Sequence, residues 1–313
     1  MVRVNMFSKR LSMLFGLIMV VLLILSGCTS GTNESQNKIR VGSKDFTEQL
    51  ILGQITLLAL EDAGFEVEDK TNVAGSEQVR SALENDEIDV YWEYTGTGWL
   101  MHLQKDEVIT NSQEAYEKVK SEDKEANDIV WLDYASLNNT YTIMMNKDDS
   151  EKLNIKSISD MANYVNENPG QLSFAADHEF TARPDGLPAL EDEYGFAFDG
   201  DSLKVMDIGI VYRTLKDRQV DSGMGFATDG RIAAFDFVNL EDDMEFFPVY
   251  NAAATLRAET LEKHPELADV LNKITEKLDN ETMIKMNYQV DIEEKEPKEV
   301  AKNWLEEEGL INK

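Results

Sequence analysis

Four short stretches of this 313-residue chain set aromatic side chains beside turn glycines or polar residues, at places where strands are expected to end. They are Tyr91-Trp92-Glu93-Tyr94-Thr95-Gly96-Thr97-Gly98, Asn138-Asn139-Thr140-Tyr141, Gly223-Met224-Gly225-Phe226-Ala227-Thr228-Asp229-Gly230-Arg231 and Phe247-Pro248-Val249-Tyr250. Taken singly, each is ordinary core packing. Together they suit a cation that cannot donate a hydrogen bond. A quaternary ammonium group is held by the electron-rich faces of several rings, each contributing about 0.5 to 2 kcal/mol depending on desolvation. Catalytic sets are missing from the sequence. His102, His178 and His264 stand far apart and in no metal-ligand spacing, there is no G-x-S-x-G and no phosphate-cradling glycine loop, and Cys28 is the only thiol. A binding protein without cofactor or metal is therefore expected, not an enzyme, with the histidines at the surface or behind the site.

The elements that must position these rings alternate between short apolar runs and amphipathic helices. Strands are predicted at Ile39 to Gly42, Phe65 to Asp69 and Ile88 to Trp92, with helices at Thr47 to Ala63 and Ser76 to Asn85 between them. This βαβαβ opening implies a parallel sheet with its functional loops at the carboxyl ends of the strands. The pattern continues with a helix over Ser112 to Ala126 and strands at Ile129 to Leu132 and Tyr141 to Met145. Further strands are expected at Leu172 to Ala175, Leu203 to Met206 and Val220 to Gly225, and helices at Ser157 to Asn166, Gly186 to Tyr194 and Ile208 to Arg218. The C-terminal stretches Glu259 to Leu278, Asn280 to Val290 and Pro297 to Glu308 are helical and dense in charge. Two α/β lobes without a linker suggest a chain that crosses between lobes and returns, leaving a hinged cleft that closes on a ligand.

The first residues bear on location. A basic start with Arg3, Lys9 and Arg10 precedes an apolar run from Leu11 to Leu25, about fifteen residues and short of the roughly 20 that a membrane-spanning helix needs. Residues 1–27 are read as a signal peptide, with cleavage before Cys28, and 28–37 as a polar tether. Leu25-Ser26-Gly27-Cys28 resembles the lipobox of bacterial lipoproteins, which implies diacylglyceryl attachment at Cys28 and a place on the extracytoplasmic face of the cell membrane. The chain carries a formal charge of −30, and the part from Cys28 onward −33, because the leader holds three basic residues and no acid. Nucleic acid and anionic membrane surfaces are unsuitable partners, so membrane contact is expected through the anchor only.

From about Lys38 to the C-terminus the chain resembles the osmoprotectant-type solute-binding proteins of ABC importers for glycine betaine, choline, carnitine and similar quaternary amines. The resemblance is carried by Ser43-Lys44-Asp45-Phe46-Thr47-Glu48-Gln49, Glu93-Tyr94-Thr95-Gly96-Thr97, Asn138-Asn139-Thr140-Tyr141, Ala227-Thr228-Asp229-Gly230-Arg231 and Phe246-Phe247-Pro248, in that order. It implies a two-lobe α/β periplasmic-binding-protein fold with the ligand cleft between the lobes. Lobe one is then 38–146 with 245–313, and lobe two is 147–244. It also implies a four-ring box on Tyr94, Tyr141, Phe226 and Tyr250. Phe226 departs from the usual tyrosine, keeping the ring face and losing the hydroxyl. A ligand carboxylate would be held by Lys44, Thr97 and Arg183, and Arg183 could alternatively pair with Asp185 or Glu179. Asn139 stands where some members carry an aspartate. Glu93 could supply that negative charge, although its alternation with Tyr94 turns it to the opposite face.

The implied role is capture of a small zwitterionic or cationic quaternary amine and its delivery to an ABC permease driven by its ATPase. Two alternatives stand beside it: a bulkier betaine such as ergothioneine, or a ligand-binding sensor lipoprotein without transport. A cell-wall enzyme is the remaining class, and no acid, base and nucleophile set supports it.

Overall fold

The computed structural model describes residues 38–312, so the predicted signal peptide, the tether and Cys28 lie outside the described residues. Ten strands are present: β1 (Lys38–Lys44), β2 (Glu66–Val73), β3 (Val90–Tyr94), β4 (Ile129–Asn138), β5 (Tyr141–Asn146), β6 (Phe174–Ala176), β7 (Leu203–Val205), β8 (Ser222–Phe226), β9 (Phe237–Asn239) and β10 (Asn251–Arg257). They form two five-stranded sheets, in the orders β2-β1-β3-β10-β4 and β7-β6-β8-β5-β9. Both sheets are mixed, where a parallel sheet was expected. β1 and β3 run parallel, as do β6, β7 and β8, but β10 is antiparallel to both β3 and β4, and β5 is antiparallel to both β8 and β9. The antiparallel members are the strands that follow the chain's two passages between the sheets.

That arrangement moves the expected lobe boundary. Tyr141–Asn146, assigned to lobe one by the division at 146, pairs with β8 and β9 in the second sheet. The passage between sheets is the short turn between Asn138 and Tyr141, not a segment after Asn146. A second difference is β10, for which the sequence pattern predicts no strand. Ala252, Ala253 and Ala254 are fully buried in the middle of the first sheet, where small side chains fit between layers on both faces. Alanine is depleted in strands generally, and burial overrides that preference here.

The helices are α1 (Thr47–Asp62), α2 (Ser76–Glu84), α3 (Ser112–Asn127), α4 (Lys147–Leu153), α5 (Ile158–Glu167), α6 (Leu187–Tyr194), α7 (Ile208–Lys216), α8 (Arg231–Ala234), α9 (Ala258–Lys263), α10 (Glu266–Thr275), α11 (Asn280–Asp291) and α12 (Pro297–Glu307). Local chemistry sets several ends. Ser157 and Asp160 form a reciprocal capping box at α5, while Asn111 and Asp279 cap α3 and α11. The stretch Glu259 to Leu278 is two helices, because Pro265 cannot donate a backbone hydrogen bond and starts α10 afresh. Helices α11 and α12 pack on α1, which itself lies against β2 and β3 of the first sheet.

β3 shows how the core fixes the site. Its five residues are all buried, and period-two geometry divides them. Val90, Trp92 and Tyr94 face one apolar cluster with α1, whereas Tyr91 joins Val79, Leu83, Tyr116 and Trp131 on the other side. The Trp92 indole donates to Thr56 Oγ1 at 2.8 Å and that of Trp131 to Asp123 Oδ2 at 2.7 Å, so both large rings are buried without an orphaned donor.

Candidate functional site

Tyr94 closes β3, and the chain turns at once into a helical turn, Thr95–Thr97, followed by a π-helix, Gly98–His102. The two glycines here are helical and need no left-handed backbone, contrary to their reading as turn residues. Close approach explains them instead. A Cβ on Gly96 would lie 2.8 Å from two ring carbons of Tyr250, and one on Gly98 2.5 Å from the Trp131 ring. Thr95 ties the turn down, its hydroxyl donating to Val249 O and accepting from Asn251 N, each at 3.1 Å. Tyr250 is thereby pressed against the end of β3.

The other rings arrive through the passage between sheets. Asn139 N donates to Tyr250 O at 3.0 Å, and Tyr250 N donates to Asn138 Oδ1 at 2.7 Å. Tyr141, the first residue of β5, is directly paired with Phe226, the last of β8, and their ring centroids lie 5.3 Å apart. Tyr141 meets Tyr250 edge-on at 5.4 Å. Phe46 completes the row, 5.1 Å from Phe226 and 6.3 Å from Tyr94, stacked on both at 23°. Phe46 is absent from the sequence-derived box. Its position between the end of β1 and the start of α1 was the available signal, but a single phenylalanine there equally suits packing.

These rings line a cavity of about 1130 Å³, which is above the roughly 300 to 1,000 Å³ usual for small-molecule sites. All eight predicted ligand contacts, Tyr94, Tyr141, Phe226, Tyr250, Lys44, Thr97, Arg183 and Asn139, are on its wall. Glu93 is not, in keeping with its alternation along β3. The exposed acids Asp45, Glu77, Asp106 and Asp207 also border the cavity.

The basic groups are already engaged. Lys44 Nζ lies 2.6 Å from Glu93 Oε1, and both side chains are buried. Glu93 also accepts from the Tyr91 hydroxyl at 3.0 Å and from Tyr94 N at 2.8 Å, and its Oε2 is 2.9 Å from His102 Nε2. Burial alone would raise the Glu93 pKa, but Lys44 and His102 outweigh it and hold this carboxylate well below its ordinary range. Arg183 is 3 % exposed and binds both oxygens of Asp185, at 2.8 and 2.5 Å, as well as Glu179 at 2.9 Å. It pairs with both acids considered for it, but in the interior and not on the surface. Its guanidinium sits 5.5 Å from the Tyr141 centroid and 3.4 Å from the Thr97 hydroxyl, while Tyr250 donates to Asp185 at 2.8 Å. Asp177, on the same wall, is pushed up to about 6 by burial.

The arrangement therefore offers a row of ring faces, two strong cations neutralised by internal carboxylates, and an acidic border. Such a site attracts cations and has no unpaired guanidinium for an anion. Sequence reasoning named Asp185 and Glu179 only as alternative partners of Arg183 and did not place them behind the cavity wall, because carboxylates two and four residues from an arginine are common on any surface. Among the described residues no group of three or more His, Cys, Asp or Glu is spaced to hold a metal.

The family model described as the substrate binding domain of ABC-type glycine betaine transport systems matches residues 37–307. A glycine-betaine-binding protein of Pseudomonas aeruginosa is 39 % identical over 301 residues, covering 95 % of this chain and 96 % of that one. An ergothioneine transport permease/ergothioneine binding protein of Helicobacter pylori is 34 % identical over 271 residues, covering 86 % of this chain and 47 % of that protein. The solved structure of a glycine betaine/carnitine/choline ABC transporter protein superposes with a TM-score of 0.70 at 29 % identity, covering 88 % of this chain and all of that one.

Proposed function

The chain belongs to the substrate-binding domain family of ABC-type glycine betaine transport systems, and from that premise we propose that its aromatic row captures the quaternary ammonium head of an osmoprotectant outside the cytoplasmic membrane. The observation that carries this reading is the juxtaposition of Tyr94, Phe46, Phe226, Tyr141 and Tyr250 on one cavity wall whose two buried cations are already paired. The parts of the chain on either side of the Asn138–Tyr141 passage would close on the ligand and present it to the permease, with ATP hydrolysis at the cytoplasmic ATPase driving import. Cys28 would carry the lipid that keeps the protein at the membrane. Lys44, Thr97 and Arg183 would meet a ligand carboxylate by sharing donors with their present partners.

The test is calorimetry of the full-length protein in detergent against glycine betaine, choline, carnitine, proline betaine and ergothioneine. One of the first four should bind, and Tyr94→Ala or Tyr250→Ala should weaken it by tenfold or more, since each ring contributes about 0.5 to 2 kcal/mol and its truncation also opens a void. A folded protein that binds none of them would sink the reading. A second reading, capture of a bulkier betaine such as ergothioneine, is favoured by the size of the cavity, which runs past the rings to Gln104, Lys105 and Asp207. The same titration separates the two.

A further inference from the structure

Glu48 takes no part in the ligand contacts argued above, yet it stands directly behind the aromatic row. It lies in the first turn of α1, 2 % exposed. Its Oε1 accepts the Tyr94 hydroxyl at 2.7 Å, and its Oε2 accepts the Thr228 hydroxyl at 2.6 Å and the Asn287 amide at 3.5 Å. Thr228 Oγ1 is also 2.7 Å from Asn139 Oδ1. A hydroxyl has one proton to donate, and here it faces two acceptors. Both contacts are satisfied only if Glu48 is protonated and donates to Thr228, or if the Asn139 amide is turned end for end. The cluster thus holds one more proton when Glu48 is neutral and must rearrange when it ionises. Burial pushes the Glu48 carboxyl up to about 7, outweighing the hydrogen bonds from Thr228, Tyr94 and Asn287 that pull it down.

We propose that Glu48 is a positioning residue whose charge, relayed to the cavity wall by the Tyr94 phenol, sets the affinity of the aromatic row for a quaternary cation, so that capture of the cation expels a proton from Glu48. The inference rests on the reading that this row takes a quaternary ammonium group. An ionised carboxylate accepting the phenol proton enriches the ring face. It also places a full negative charge roughly 8 Å from a cation stacked on that face, which at an effective dielectric of about 20 strengthens binding on the order of tenfold or more. The neutral acid supplies neither effect. Coupling is reciprocal, so the cation favours ionised Glu48 by the factor with which ionised Glu48 favours the cation. Affinity therefore falls as pH falls through the range in which Glu48 takes up its proton.

The charges facing Glu48 do not remove this linkage. From the segment after β8, Asp229 raises the Glu48 pKa but is itself bound by Arg231, at 2.9 and 2.5 Å. From α11, Asp291 is held by the Thr47 hydroxyl at 2.7 Å and pushed up to about 6 by burial. From β1, Lys44 lies 5.1 Å from the Tyr94 centroid with its charge balanced by Glu93. Asp177 and His178 line the cavity from the side of the second sheet and serve as controls.

The experiment is calorimetry of the full-length protein in detergent with choline and with glycine betaine, at pH 7 in buffers of different ionisation enthalpy, followed by dissociation constants at pH 5.5 and 8.5. The expected result is release of a fraction of a proton per ligand bound and about tenfold weaker binding at pH 5.5. Glu48→Gln should abolish both effects, while Asp177→Asn and His178→Gln keep the proton release. Equal heats in all buffers overturn the inference, as does proton release that survives in Glu48→Gln. Should that variant not fold, buffer-independent heats of the wild type still refute it, and loss of the release in Asp177→Asn assigns the proton elsewhere. If neither compound binds at either pH, the reading of the cavity itself fails and takes this inference with it. Binding without proton exchange leaves that reading intact.

Discussion

Lys44 and Glu93 are 49 residues apart in sequence and 2.6 Å apart in the fold, both buried. Removing one member of a buried pair strands the other, at a cost of about 3 to 5 kcal/mol. Glu93→Ala is therefore expected to lower unfolding free energy in urea by that amount, well beyond the effect of removing a surface pair such as Lys263–Glu259. The pH dependence has a definite sign. A carboxylate whose folded pKa lies below its unfolded value of about 4.5 contributes stability that is present above that value and is lost as pH falls beneath it. Between pH 5 and pH 3 the wild type should thus lose stability more steeply than Glu93→Gln, and equal slopes would rule out the pair as the cause. The residue types of the site were legible in the sequence, because Tyr94, Tyr141, Phe226 and Tyr250 each sit in a distinctive local run. The carboxylates that engage Lys44 and Tyr94 were not. Nothing near Lys44 in sequence announces Glu93, and Glu48 looks like any acid in the first turn of a helix.

The short helical segments after β3 carry their own prediction. Gly96→Ala would push a methyl group into the Tyr250 ring, with the Val249 carbonyl oxygen only 2.9 Å away on the other side. Overpacking of this kind costs about 1 to 3 kcal/mol, and here it also displaces a wall of the cavity. The expected outcome is at least tenfold weaker quaternary-amine binding with a moderate stability loss. Gly98→Ala instead meets Trp131 and Val119 in the core behind the site, and should lower stability while binding is largely kept. Dissociation constants and urea midpoints for the two variants check the contrast, and a swapped pattern would refute it. At this scale the longer helices were legible from periodicity, but the short helices Lys147–Leu153 and Arg231–Ala234 and the strand β10 were not. Its Ala252-Ala253-Ala254 run lacks the branched and aromatic residues that mark strands, and only the layers packed on both faces make it one.

For the molecule as a whole, acids outnumber bases by 60 to 30. Such an excess destabilises the folded state through self-repulsion, which salt screens over a Debye length that shrinks from about 30 Å at 0.01 M to about 3 Å at 1 M. The melting temperature of the ligand-free protein should rise by a few degrees, about 1 kcal/mol, between 10 mM and 500 mM sodium chloride. A flat or falling melting curve would show that local ion pairs outweigh the net charge. The two-sheet plan could be anticipated from the alternation of elements, whereas the antiparallel closure of each sheet could not. Which strand lies beside β3 depends on where the chain returns from the second sheet, and no local pattern in Asn251–Arg257 records that return.

The acidic border of the cavity separates how a ligand arrives from how long it stays. Asp45, Glu77, Asp106 and Asp207 stand in solvent, where their field draws a cation inward and ions in the medium damp it. The rings behind them are uncharged, so their hold on a cation stacked against them is far less sensitive to that damping. In stopped-flow measurements the association rate of a quaternary amine should therefore drop as salt is added while its dissociation rate stays nearly constant. Residence time then belongs to the rings and encounter to the rim, so either could change through mutation without disturbing the other.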